Sequence, residues 1–207
     1  MVCPEKTEAT LNLTARASSD IAMNQPDWLA DLKTGVAAER RERAFRLFLA
    51  EWQRPVYRFV RRMLINHEDA DDVTQETLIQ VAKSVDGFRG DAAFSTWLYQ
   101  VANRKALDHL AASKRRRALS LSRVPGMEDH LAALAADPHF DGEEAEMRLE
   151  AGLACLPPRQ KQVFILRYFE DLSYTEIAGI TCLSEGSLKA SYHHAAAKLK
   201  QFLIRED

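Results

Sequence analysis

From Asp91 to Arg117 the chain runs without a proline or glycine, and no other feature constrains the fold as strongly. Apolar residues fall at Phe94, Trp97, Leu98, Val101, Ala102, Ala106 and Leu110, the i, i+3, i+4 recurrence of one helical face. The opposite positions carry Tyr99, Gln100, Asn103, Arg104 and Asp108, and the stretch ends in Lys114-Arg115-Arg116-Arg117. Cations complement the C-terminal end of a helix dipole, so a solvated basic end is the plain explanation. The same residue types also suit nucleic acid. Lys and Arg neutralise phosphates, while Asn, Gln and exposed aromatics read or stack on bases.

Charge elsewhere is uneven. The formal net charge is −2, which gives no global basic field. Yet Asn103–Arg123 holds seven Lys/Arg against one Asp, and Gly126–Glu150 holds eight Asp/Glu against one Arg. A basic block followed by an acidic one marks a charged surface beside a solvated linker. Cys3, Cys155 and Cys182 are scattered without a CxxC, as expected in a reducing cytosol. No apolar run approaches the ~20 residues of a membrane span, and the N-terminus lacks the apolar core of a signal peptide. The expectation is a cytoplasmic protein without a membrane span, metal or cofactor.

Residues 1–25 are rich in Thr, Ser, Ala and Asn, with weak periodicity, and read as a disordered tail. A first helical domain is expected over 26–112. It begins with a short piece at Trp28, Leu29 and Leu32, then a long helical pattern over Glu39–Leu64. Pro55 predicts a kink or a division into two helices there. Arg40, Arg41, Arg43, Arg46, Arg54, Arg58, Arg61 and Arg62 take outward, solubilising positions. Over Asn66–Val81, Asn66 or Glu68 can open a helix with Asp69, Asp71 and Asp72 in its first turn. Ala70, Val73, Thr77, Leu78 and Val81 can face a core; Asp72, Gln75, Glu76, Ile79 and Gln80 make an acidic and amide face around an apolar patch. Clustered carboxylates are also hard-cation ligands, but nothing completes a metal site, and a protein-docking face fits better. Pro125, Gly126, Pro138 and Gly142 interrupt residues 113–144, which read as a flexible linker holding a short helix near Met127–Ala136.

A second domain is expected over 145–207. Met147, Leu149, Leu153 and Leu156 make one amphipathic helix; Pro158 opens the next, whose apolar set is Val163, Phe164, Leu166 and Tyr168. Ser173 with Glu176 forms a capping box for a short helix over Tyr174–Ile180. After the turn Thr181-Cys182-Leu183, Ser184 caps a last helix over Glu185–Ile204, with Leu188, Tyr192, Ala195, Ala196, Leu199 and Phe202 buried. Short helix, short turn and longer helix are the proportions of a helix-turn-helix, whose second helix enters the major groove by its N-terminal residues. Tri-helical units of this kind also serve as protein-binding modules. The fold class is all-α, two small helical domains on a linker.

Three stretches carry a family resemblance: DADDVTQETLIQVAKSVDGFRG (69–90), DAAFSTWLYQVANRKALDHL (91–110) and LPPRQKQVFILRYFEDLSYTEIAGITCLSEGSLKASYHHAAAKLKQFL (156–203). The chain resembles an extracytoplasmic-function (ECF, group IV) sigma factor. The resemblance implies a first domain equivalent to sigma region 2 and a second equivalent to region 4. It implies docking on bacterial core RNA polymerase through Asp69, Asp72, Gln75 and Glu76. It further implies recognition and melting of the promoter −10 element by Arg89, Phe94, Trp97, Tyr99, Asn103, Arg104, Arg115 and Arg116, with unstacked bases captured near Ala92–Trp97 and Asn103. Reading of the −35 element falls to Glu185, Ser187, Lys189, Ser191, His194 and Lys198. An anti-sigma protein is the further expected partner, and a stress or envelope response the expected setting.

Two departures stand out. Many members have an Arg-rich last helix, whereas this one reads Lys189-Ala190-Ser191-Tyr192-His193-His194-Ala195. Cys182 sits in a turn that often contains Gly, and a non-Gly residue at positive φ costs on the order of 1 kcal/mol. The rival readings are a stand-alone helix-turn-helix regulator, which predicts operator binding as a dimer, and a metal-dependent nuclease using Asp69, Asp71, Asp72 and Glu76. The nuclease lacks a nucleophile–base pair, a phosphate loop or metal-ligand spacing, so the expectation is a protein with no chemistry of its own.

Overall fold

The computed structural model describes residues 25–119, 125–140, 142 and 144–204. The 1–25 tail therefore lies outside the described residues except for Gln25, as does the 120–124 part of the linker. Every regular element among the described residues is helical: α1 Leu29–Leu32, α2 Ala38–Leu64, α3 His67–Ser84, a 3-10 turn Val85–Gly87, α4 Phe94–Leu119, α5 Met127–Ala135, α6 Glu144–Ala154, α7 Pro158–Tyr168, α8 Tyr174–Thr181 and α9 Glu185–Ile204.

Local signals explain most boundaries. The Asn66 side chain accepts from the Asp69 amide at 2.9 Å and opens α3, and Pro158 takes the first position of α7, where its missing N–H costs nothing. Ser173 and Glu176 exchange both capping-box bonds at the start of α8. Cys182 ends α8 at φ 57°, ψ 31°, a left-handed conformation, and its amide donates to the Ala178 carbonyl at 2.8 Å. Pro55 does not divide α2: the helix runs continuously through it, held by Val56, Phe59, Val60 and Met63, each fully buried. Burial of a whole helical face outweighs the one backbone bond that proline removes.

In the first unit, α2, α3 and α4 pack together with α1 across one end. Phe94, at the start of α4, lies in an aromatic cluster with Trp28, Phe48, Trp52, Phe88 and Trp97, at ring separations of 5.2–6.1 Å. The second unit packs α6, α7 and α9 around Leu153, Leu156, Phe164, Ala195 and Leu199. Gly152 permits this, since a β-carbon there would stand 3.1 Å from Leu199 Cδ2. The linker helix α5 lies against α6.

The two units touch. Val163, Ile165, Leu166, Leu172, Ile177, Ile180 and Leu188 of the second belong to the same buried cluster as Phe59, Met63, Leu98 and Ala102 of the first. One apolar core runs through both.

Candidate nucleic-acid interface

The α3 helix turns Ala70, Val73, Thr77, Leu78 and Val81 inward and leaves Asp72, Gln75, Glu76, Ile79 and Gln80 exposed. Ile79 is a large apolar side chain half open to solvent amid amides and carboxylates. Several polar groups here are held in place. Gln75 donates to Asp71 at 2.8 Å, Lys105 of α4 pairs with Glu76 at 2.9 Å, and His109 lies 3.4 Å from Asp69. Asp69 is half-buried and Asp72 faces outward.

On α4 the candidates divide. Arg104, Arg115 and Arg116 are exposed, and Arg89 is exposed beside Asp91 at 3.7 Å. The side chain of Arg117 is outside the described residues. Trp97 is half-buried, with its ring against Phe88 and Phe94. Phe94 itself is core, not surface, because the first position of α4 points at Trp28 and Phe48.

Tyr99 and Asn103 also depart from the expected outward polar face. They are 4% and 5% exposed. The sequence pattern marks one apolar face of α4, and that face does meet the first unit through Phe94, Leu98, Ala102 and Ala106. A second stripe, Thr96, Tyr99 and Asn103 at i, i+3 and i+7, is buried as well: the Tyr99 ring lies against Trp52 and Phe59 of α2, and α8 of the second unit packs over α4. The Tyr99 hydroxyl donates to the Glu170 carboxylate that follows α7, and burial, then the Glu170 charge, pushes the phenol well above its ordinary range. Glu170 is raised in turn by burial, which outweighs the hydrogen bond from Tyr99 and the charges of Arg62 and Arg58. Asn103 Oδ1 is buried without a hydrogen-bond partner among the described residues, a costly state for an amide oxygen.

Charged contacts reinforce the junction. Arg61 and Arg62, expected to point outward, turn inward at the end of α2. Arg62 Nε bonds Glu150 of α6 at 3.0 Å while its guanidinium lies 3.9 Å above the Phe169 ring. Arg61 pairs with Asp137 of the linker. Burial works against the Asp137 charge, but the His139 amide and Arg61 hold its carboxyl below the ordinary range. Lys161 of α7, 4% exposed, reaches the Met63 carbonyl at 3.4 Å. Burial lowers its ammonium to about 8, against Glu150 and Cys155, which work to raise it. The rings of His67 and His139 stack at 3.7 Å beside a cavity of about 490 Å³ lined by Arg61, His130 and Asp137.

On α9, Glu185, Lys189 and His194 are exposed, and Ser187, Ser191 and Lys198 half-exposed. Glu185 accepts from Thr175 at 2.9 Å, Lys198 donates to Gln160 at 3.0 Å, and Lys189 lies 5.5 Å from the Tyr174 ring. Sequence reasoning missed Arg159, exposed on the first turn of α7, which donates to Ser187 at 2.8 Å and adds an arginine beside an arginine-free helix. Its position was the signal: a cation in the first turn of a helix opposes the dipole and calls for another partner.

The family model for sigma-70 region 2 matches residues 48–116, and that for sigma-70 region 4 matches 146–199. The RNA polymerase sigma-H factor of Pseudomonas aeruginosa is 31% identical over 174 residues, covering 80% of this chain and 90% of the relative. The chain belongs to the sigma-70 family. Within that family its relatives include ECF members such as the SigF of Caulobacter vibrioides, 33% identical over 72% of this chain and 79% of its own length. This sigma-70 chain also shares its fold with two solved structures. One is the sigma factor RpoE in complex with the anti-sigma factor NepR from Bartonella quintana, at TM-score 0.65 and 19% identity, covering 79% of this chain and 98% of that one. The other is CnrH in complex with the cytosolic domain of CnrY, at TM-score 0.62 and 23% identity, covering 87% and 97%.

Proposed function

We propose that the chain is an ECF sigma factor that binds core RNA polymerase in the bacterial cytoplasm and directs it to specific promoters, in a stress or envelope response, without chemistry of its own. The observation that carries this reading is the paired match, region 2 over α2–α4 and region 4 over α6–α9, in one chain and in that order. A stand-alone regulator of the helix-turn-helix type would account for the second match alone.

In this reading the exposed face of α3 docks on polymerase, with Ile79 as the apolar anchor and Asp72, Gln75 and Glu76 as its polar surround. Arg89, Arg104, Arg115 and Arg116 hold promoter phosphates. Trp97, Tyr99 and Asn103 serve the unstacked −10 bases, which stack on aromatic rings and bond to amides. Phe94 supports Trp97 from beneath. The N-terminal turns of α9 enter the major groove at −35, with Arg159 as an added contact. Tethering two weak DNA-binding units to one polymerase raises their effective concentration, so an arginine-poor α9 suffices. An anti-sigma protein, the partner seen with RpoE of Bartonella quintana, is the expected regulator.

The test is binding of the purified chain to core RNA polymerase, wild type against Asp72→Ala/Glu76→Ala. The expected result is nanomolar binding weakened about tenfold or more, since docking surfaces concentrate their energy in few residues. Absence of binding by the wild-type chain would overturn the reading.

A further inference from the structure

A polar joint fastens the linker to the first unit. Past α5, Asp137 pairs with Arg61 of α2 and accepts from the His139 amide at 2.9 Å. The exposed His139 ring then lies flat on the half-buried ring of His67, the first residue of α3, with centroids 3.7 Å apart and planes within 14°. His67 is held from α2 as well, where its Nδ1 stands 2.7 Å from the Tyr57 hydroxyl. The turn that presents His67 carries Ile65 at φ 72°, a left-handed conformation that a branched side chain rarely takes. Strain of this kind persists only where the surrounding structure over-determines it. Beside the stack is the cavity of about 490 Å³, lined from α2, α3, α5 and the segment that follows it.

The charges that face the stack set what it can bear. From α2 come the Arg61 guanidinium and the Tyr57 phenol, from α3 Glu68 with Asp71 beyond it, and from the linker His130 and Asp137. Arg61 and Asp137 are taken up by each other. One imidazolium on a neutral ring meets no like charge within the stack, and the exposed Glu68 offers a counter-charge. Two imidazolium rings in contact are another matter. No layer of water fits between rings 3.7 Å apart, so the like charges repel unscreened across the joint. Arg61 and the positive end of the α3 dipole at His67 add to that repulsion.

We propose that the His67–His139 stack is a proton-sensitive latch, closed while at most one ring is charged and opened when both take up a proton, which frees the linker from the first unit. The latch stands whether or not the chain serves polymerase. Its sign follows from linkage: the open form binds more protons than the closed one, so the closed fraction falls as the pH drops through the histidine range, about pH 8 to 5. Its effect is on reach. Closed, the tether to α6 starts at His139 and spans at most about 18 Å; open, it starts at Leu119 and spans up to about 70 Å with α5 still helical.

Energy transfer reads the joint in the full chain. With Cys3, Cys155 and Cys182 replaced by serine, dyes on Gln53→Cys of α2 and Ala136→Cys after α5, both exposed positions, report the separation of linker and first unit. Helical circular dichroism is recorded on the same samples. From pH 8 to pH 5.5 the closed-to-open ratio is expected to fall at least tenfold while the helix signal stays constant. His139→Phe and His139→Gln take up no proton at that position, and in both the ratio is expected to stay constant over the same range, whatever its value at pH 8. A smaller fall in the wild type overturns the proposal, as does a chain already open at pH 8. Either variant opening in step with the wild type overturns it too, since another group would then be responsible. Loss of helix at pH 5.5 overturns it by assigning the change to unfolding.

Discussion

Cys182 shows how a single position can carry strain without forfeiting the motif. Its backbone is left-handed, and its amide closes α8 on Ala178. A side chain in that conformation costs roughly 1–2 kcal/mol, against about 0.5–1 kcal/mol of extra chain entropy that glycine loses on folding. Cys182→Gly is therefore expected to raise stability by up to about 1 kcal/mol, read as a melting temperature about 2–4 °C higher. Lys161 is strained in a different way. Its ammonium is buried and falls to about 8 from an ordinary 10.5. The folded chain thus binds fewer protons than the unfolded one between those values, and stability rises with pH across that window. Above about pH 9 the Cys155 thiol, raised by burial, begins to work in the opposite direction, and higher still so does Tyr99. The expected outcome is a melting temperature that climbs from pH 8 to pH 9 in the wild type and stays flat in Lys161→Met. A flat wild-type profile would sink the argument.

At the scale of elements, the capping box of α8 is the clearest lever. Ser173 accepts from the Glu176 amide at 3.2 Å, and Glu176 reaches back to the Ser173 amide at 2.8 Å. Because α8 has only eight residues, it depends on this cap and on Ile177 and Ile180 for its position. Ser173→Ala is expected to cost about 1 kcal/mol by denaturant unfolding. That box was legible in the sequence, as were the Asn66 cap, Pro158 and the buried stripe of α9, because each is written in residues three or four apart. The continuity of α2 through Pro55 was not, since a local penalty says nothing about the long-range burial that overrides it. Nor was the second buried face of α4. Tyr99 and Asn103 are polar, and periodicity assigns polar residues outward; only the position of Glu170, 71 residues away in sequence, reveals otherwise. Arg61 and Arg62 were misplaced for the same reason. The α3 surface, by contrast, was readable from its alternation of acidic, amide and apolar residues.

The two units, which family models match separately, share one apolar core, and the second keeps a smaller one of its own. The shared contacts are of mixed strength. The apolar part is non-directional and proportional to area, while the Arg62–Glu150 bridge is half-hidden from water and becomes a liability if either partner leaves. An interface of this composition can be stable and still come apart when a competing partner offers both units a better surface. The bond from the Tyr99 hydroxyl to Glu170 has a further consequence. It ties one unit to the other through a single pair of side chains, so neither residue is free to drift alone. A lineage that lost the Tyr99 hydroxyl would also need a new answer at Glu170, whose carboxyl would be left without its donor, so the two positions would be inherited as a pair.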